Sequence, residues 1–244
     1  MAAELVGRPV HVLAATTTPS ALAAKAATKN IPIVFTTGGD PVQLGLMTSL
    51  NRPGGNVTGA TILARVLVGK QLEILHELVP SAAVVGFLVN PKDANEQLVD
   101  PTQSAASLRQ KLIIVKASTA EEIEAAFNTL VEQRVEALVV DGAPFILSRR
   151  KRVVSLAQQH SVPAIYAFRE YVTAGGLVSY SPSLADTYHQ AGVYVGRILN
   201  GETPTNLPVV QPTKFDFAIN LKTAKALGLS VPMSLQVSAD EVIQ

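Results

Sequence analysis

The groups in this chain that are equipped for chemistry are hydroxyls, amides and carboxylates gathered where apolar runs stop. Thr16, Thr17 and Thr18 stand between the run 9–15 and a helix for which Thr18 is the expected N-cap, with Pro19 at its first position. Hydroxyls beside the N–H groups and positive dipole end of a helix suit a carboxylate, and a capping cluster without ligand accounts for the same residues. Thr37, Gly38, Gly39 and Asp40 follow the run 31–35. Glycines there let a ligand approach the backbone. Asp40 serves either as an acceptor for an ammonium group or, the preferred reading, as the cap of the next helix after a tight turn.

Asn90, Asp93 and Asn95 follow the run 84–89, Asp141 follows 137–140, and Tyr166, Phe168 and Glu170 lie at or just after the end of 164–167. A carboxylate so placed, Asp141 or Glu170, holds an ammonium group through a charge-assisted hydrogen bond. An aromatic ring, Phe145, Tyr166 or Phe168, stacks on an apolar side chain. Capping and core packing are the competing roles. All of this is the chemistry of non-covalent binding; no acid–base pair stands out.

Other chemistries find no support. There is no cysteine, which removes thiol nucleophiles and disulfides. The four histidines, His11, His76, His160 and His189, show no metal spacing. Gly69–Lys70 belongs to no Walker loop, Gly38–Gly39 completes no dinucleotide fingerprint, and a nucleophile elbow is missing. Neither a metal nor a cofactor is expected. A net charge of +1 argues against nucleic acid. Arg149, Arg150, Lys151 and Arg152 read as the solvated face of one helix, Glu121 and Glu122 as capping acids, and the sequon at Asn56 as chance.

The binding groups must be positioned by the elements between them. With 244 residues, 48% hydrophobic and 16% charged, the chain can bury a substantial core. Short β-rich runs alternate with helical patterns, which predicts βαβ units and parallel sheets. Strands are expected at 9–15, 31–35, 57–61, 84–89, 112–115, 137–140, 164–167, 177–180 and 215–219. Helices are expected at 21–28, 42–50, 67–78, 96–110, 118–133, 145–160, 169–174, 183–200 and 221–227, followed by an irregular tail. Ligands of open α/β sheets bind at the carboxyl ends of strands, where the groups above lie. The βαβ series runs twice, with crossovers near Arg65 and Pro182. The expected fold class is therefore α/β, with two doubly wound parallel-sheet lobes facing one another across a cleft. Residues 1–62 and 183–244 make lobe 1 and 63–182 make lobe 2. Residues 4–8 read as the end of a helix, and the first strand is apolar on both faces. An initial strand–helix–strand of lobe 1 is thus expected to lie before Met1, leaving 10–14 as an unpaired edge. No signal peptide is written in the chain, and no apolar run reaches the ~20 residues of a membrane span.

Several stretches together resemble the ABC-transporter substrate-binding protein family that includes tryptophan- and tyrosine-binding proteins. They are Gly39–Val42, Asn51-Arg52-Pro53-Gly54-Gly55-Asn56-Val57-Thr58-Gly59, residues 70–75, Val89-Asn90-Pro91, Ala164–Tyr166 with Arg169–Tyr171, residues 175–180 and residues 219–224. The resemblance covers essentially the whole chain. It implies a type I periplasmic binding protein fold with three crossings between lobes. It also implies a non-enzymatic solute-binding component of an ABC import system, periplasmic or anchored at the cell surface, whose partner is a membrane permease. The implied ligand is an amino acid, aromatic in one version, with its carboxylate at Thr16–Thr18 and Gly38–Gly39 and its ammonium near Asp141 or Glu170. A ligand-sensing domain of a regulator, or a two-lobed isomerase or racemase, are the alternatives; the first needs a DNA-binding headpiece and the second an acid–base pair.

Overall fold

The computed structural model describes residues 2–62, 67–93 and 101–244. The expected crossover at Arg65, the candidate Asn95 and residues 96–100 of one expected helix lie outside these. In chain order the elements are α1 (Ala2–Val6), β1 (Leu13–Ala15), α2 (Thr18–Ala27), β2 (Ile33–Thr37), β3 (Val57–Thr61), α3 (Val68–Leu78), β4 (Val84–Val89), α4 (Thr102–Ser107), β5 (Lys111–Lys116), α5 (Ala120–Glu132) and β6 (Ala137–Val140). There follow α6 (Pro144–Ser148), α7 (Arg150–Gln159), β7 (Ala164–Tyr166), α8 (Arg169–Thr173), β8 (Val178–Pro182), α9 (Leu184–Leu199), β9 (Phe215–Asn220), α10 (Leu221–Ala226), α11 (Met233–Ser238) and β10 (Glu241–Ile243).

The chain folds as two units. One is built from residues 2–62, 93 and 182–214, the other from 67–92, 101–181 and 215–244. The first holds a parallel sheet of order β1-β2-β3. Every residue of β2 and β3 is buried, because helices cover both faces. Ile33 and Phe35 pack with Ala21 and Ala24 of α2 and with Leu46, while Val34 packs on Tyr194 and Ile198 of α9. A Cβ at Gly59 would lie 2.1 Å from the Phe35 carbonyl oxygen, so only glycine lets β3 approach β2 here. The Arg52–Asn56 turn leads into β3, and the Asn56 amide donates to the Ile31 and Thr28 carbonyl oxygens at 2.7 and 3.3 Å. Asn56 therefore ties the two strand entrances together, and Thr58 donates to the Leu207 carbonyl oxygen at 2.6 Å from a fully buried position. Both polar residues of the apparent sequon have structural work within the fold.

The second unit holds a sheet of order β10-β9-β8-β7-β6-β4-β5. β4 and β6 are apolar on both faces and central, whereas β5 is an edge guarded by the exposed lysines Lys111 and Lys116. Leu72, Leu75, Phe87, Val139, Ile165, Val178, Phe217 and Ile219 share one core.

Four expectations change. Residues 42–50 form turns, not a helix: the Asp40 carboxylate accepts from Val42 N–H, and Gly45 takes a φ of +68° that ends the winding. The helix of 145–160 is two, α6 and α7, meeting at Arg149. The tail is not irregular, and residues 215–244 belong with the second unit, against the grouping of 183–244 with lobe 1. β9 and β10 extend the second sheet, and the Arg169 guanidinium clamps the Glu241 carboxylate, at 2.9 Å for the longer of its two bonds.

Candidate functional site

In the first unit the carboxyl ends of β1, β2 and β3 bring threonines together. Thr17, not Thr18, is the N-cap of α2. Its hydroxyl accepts from Ser20 N–H at 3.3 Å, and Ser20 Oγ accepts from Thr17 N–H at 3.0 Å. This capping box already occupies part of the helix N-terminus that a carboxylate would use. Thr18 turns inward instead. Its hydroxyl lies 2.7 Å from that of Thr37, and Thr37 Oγ1 also accepts from Gly39 N–H at 3.2 Å. Thr18 and Thr37 are buried, Gly39 is buried, Gly38 is half-buried and Thr16 is exposed. Asp40 is half-buried and its Oδ1 accepts from Val42 N–H at 2.8 Å and Gln43 N–H at 3.4 Å, the geometry of a cap.

In the second unit the strand order sets the ends of β4, β6 and β7 side by side. Asn90, after β4, is buried and its Oδ1 accepts from Lys92 N–H at 3.0 Å. Asp93, three residues on in sequence and expected in lobe 2, is buried and is grouped with the first unit. Asp141, after β6, is 5% exposed, and its Oδ1 accepts from Gly142 N–H at 2.8 Å. The Phe168 ring covers this turn: a Cβ at Gly142 would come within 2.9 Å of it. Asp141 and Phe168 are thus brought together. Phe145 and Glu170 are half-buried in the first turns of α6 and α8.

Tyr166 takes another role. Its ring is 1% exposed and stacks on Tyr171 with centroids 4.7 Å apart, and both phenols are pushed well above their usual range, chiefly by burial. The expectation of a ligand-stacking ring at Tyr166 gives way to a core position. The sequence could not separate the two, since β7 is buried on both faces and offers no alternation to read. Among the described residues, no group of three or more His, Asp or Glu is placed to hold a metal ion, and no helix is long and apolar enough to cross a membrane.

Residues 1–243 match the family described as ABC transporter substrate binding protein. The chain belongs to that family. This substrate-binding protein is 30% identical over 244 residues to the tyrosine-binding protein of Clostridioides difficile (strain R20291), covering 99% of this chain and 68% of the relative. Among solved structures it is similar to a conserved domain protein from Vibrio cholerae O1 biovar El Tor. The TM-score is 0.89 at 30% identity, over 99% of this chain and 81% of that one. It is also similar to an ABC domain from Streptococcus pneumonia solved in complex with L-Trp. Here the TM-score is 0.87 at 26% identity, over 100% and 84% of the two chains. The expected type I periplasmic binding protein-like α/β class is the class of these neighbours.

The sequence reading of the substrate-binding protein missed several buried polar groups near the strand ends. Thr61, Tyr171 and Ser179 each carry a fully buried hydroxyl with no hydrogen-bond partner among the described residues. The one legible sign was for Thr61, a hydroxyl at the carboxyl end of a strand run, where ligands of open α/β sheets bind.

Proposed function

We propose that this substrate-binding protein takes an amino acid with an aromatic side chain, outside the cytoplasmic membrane, and delivers it to the permease of an ABC import system. The observation that carries the reading is the likeness, along the whole chain, to a structure holding L-Trp. The similarity to a tyrosine-binding protein supports it independently. The chemistry of each unit agrees. The first offers hydroxyls and backbone N–H groups at Thr16, Thr18, Thr37 and Gly38, which suit a carboxylate, while Thr17 is engaged in the capping box and Gly39 N–H donates to Thr37. The second offers the buried carboxylate of Asp141, after β6, and that of Glu170, in the first turn of α8, for an ammonium group. Asn90, Phe145 and Phe168 complete its polar and apolar surroundings. Asp40 is assigned to capping and Tyr166 to the core.

Calorimetric titration against the proteinogenic amino acids tests this. One-to-one, saturable heat is expected with L-Trp or L-Tyr and much weaker heat with aliphatic amino acids. No binding to any amino acid overturns the reading. Incubating the complex with bound ligand and assaying for racemised or rearranged product distinguishes a binder from an enzyme: unchanged ligand is expected.

A further inference from the structure

Two hydroxyls at the carboxyl ends of β2 and β3, Thr36 Oγ1 and Thr61 Oγ1, are buried without a hydrogen-bond partner among the described residues. The side chains are 2% and 1% exposed. A buried hydroxyl left unpaired is costly, and valine would fill the same shape without that cost. The two threonines face opposite ways. Thr61 is the register partner of Thr37, so both project from one face of the sheet. That face carries Ile33, Phe35 and Leu46, and it is where Thr18 meets Thr37. Thr36 projects from the other face, shared with Val34 and packed against Tyr194 and Ile198 of α9.

The proton count on the Thr37 face points to an acceptor from outside the chain. A hydroxyl has one proton and two lone pairs. Thr37 Oγ1 accepts from Gly39 N–H and lies 2.7 Å from Thr18 Oγ1. When Thr18 is the donor in that pair, both Thr37 lone pairs are used and its proton is left to donate. Thr61 has its proton to donate as well. Two O–H donors on adjacent parallel strands, about 4.8 Å apart, match the two oxygens of one carboxylate.

We infer that Thr61 is a ligand-positioning residue, its hydroxyl donating beside that of Thr37 to the carboxylate of the bound amino acid. This rests on the amino-acid reading above. The hydrogen bond is charge-assisted, and removing such a donor lowers affinity by roughly 10- to 100-fold.

The test is calorimetric titration of L-Trp and L-Tyr into the wild-type chain and into T61V, T61S and T36V, with thermal melting of each free protein. T61V is expected to bind 10- to 100-fold more weakly while melting no lower than wild type, since the hydroxyl it loses has no partner in the fold. T61S, which restores a hydroxyl, and T36V, on the other face, are expected to bind within about threefold of wild type. Should T61V misfold, T61A carries the same reading of affinity. If wild type binds and T61V binds equally, or T36V loses as much as T61V, the inference is overturned and the function stands. If wild type binds no amino acid at all, the functional reading falls and takes this inference with it.

Discussion

A polar residue in this fold is valuable in proportion to how many backbone groups it satisfies. Asn56 shows this clearly. Its amide donates to two carbonyl oxygens, of Ile31 and Thr28, in the segment that enters β2. Its own backbone carbonyl accepts from Ile33 N–H at 2.8 Å. Replacing it with alanine leaves two part-buried carbonyls without their partner, a loss of about 1–3 kcal/mol. N56A is therefore expected to lower the urea midpoint without changing the slope, while affinity at the strand ends, at the opposite end of β2, stays within about twofold. A large affinity loss with unchanged stability would place Asn56 in the site and not in the frame. Asp40 obeys the same logic. Its carboxylate caps the turn after β2, a capping role as preferred for its sequence position but on a turn where a helix was expected. Thr61 is the contrasting case: a hydroxyl that satisfies nothing inside the chain invites a partner from outside it.

At the scale of elements, what anchors a strand is often a group at the start of its neighbour. Glu136, just before β6, accepts from Ala83 N–H at 2.6 Å and Val84 N–H at 3.0 Å, and so fixes the entrance of β4. The two backbone donors, Val84 first, hold the Glu136 carboxyl below its ordinary value of 4.5. A lowered folded value means the unfolded chain binds the proton more readily. The contribution is therefore present in full above 4.5 and fades as pH falls through the folded value. E136Q is expected to be less stable than wild type at pH 7, with the gap narrowing as pH falls below 4.5, measured by urea denaturation across that range. A difference that stays constant at every pH down to acid unfolding would refute an ionic role. Elements like β4 and β6 were legible in the sequence because a central parallel strand is apolar on both faces and stands out as an uninterrupted run. The same property hid the site. With both faces buried there is no alternation to tell Tyr166, which packs on Tyr171, from a residue aimed at ligand. Short elements were hidden for a different reason. α11 is six residues long and exposes Met233 and Val237 at 70% and 78% while burying Leu235, so its apolar residues trace no inward-facing stripe.

Across the whole molecule, the last thirty residues decide whether the second unit is closed. β9 brings Phe217 and Ile219 into the core of α3, β4, β6 and β8, and β10 then covers β9 in parallel register from Glu241 to Ile243. Three contacts hold this outer layer. Asp240 Oδ2 accepts from Phe217 N–H at 2.8 Å, Ser234 Oγ donates to Glu77 at 2.6 Å, and the Arg169 guanidinium clamps Glu241. The Arg169–Glu241 pair is half-exposed, and a pair so placed contributes about 0–1 kcal/mol. Leu235, 5% exposed, contributes more, about 2–5 kcal/mol for truncation to alanine. E241Q is therefore expected to melt within a few degrees of wild type. L235A is expected to lose several kcal/mol in urea unfolding. A chain ending at residue 230, without α11 and β10, is expected to expose the outer edge of β9 and bind a hydrophobic dye. If that shortened chain unfolds at the wild-type urea midpoint and binds no dye, β10 is a dispensable rim, and closure of the sheet must rest on β9 alone.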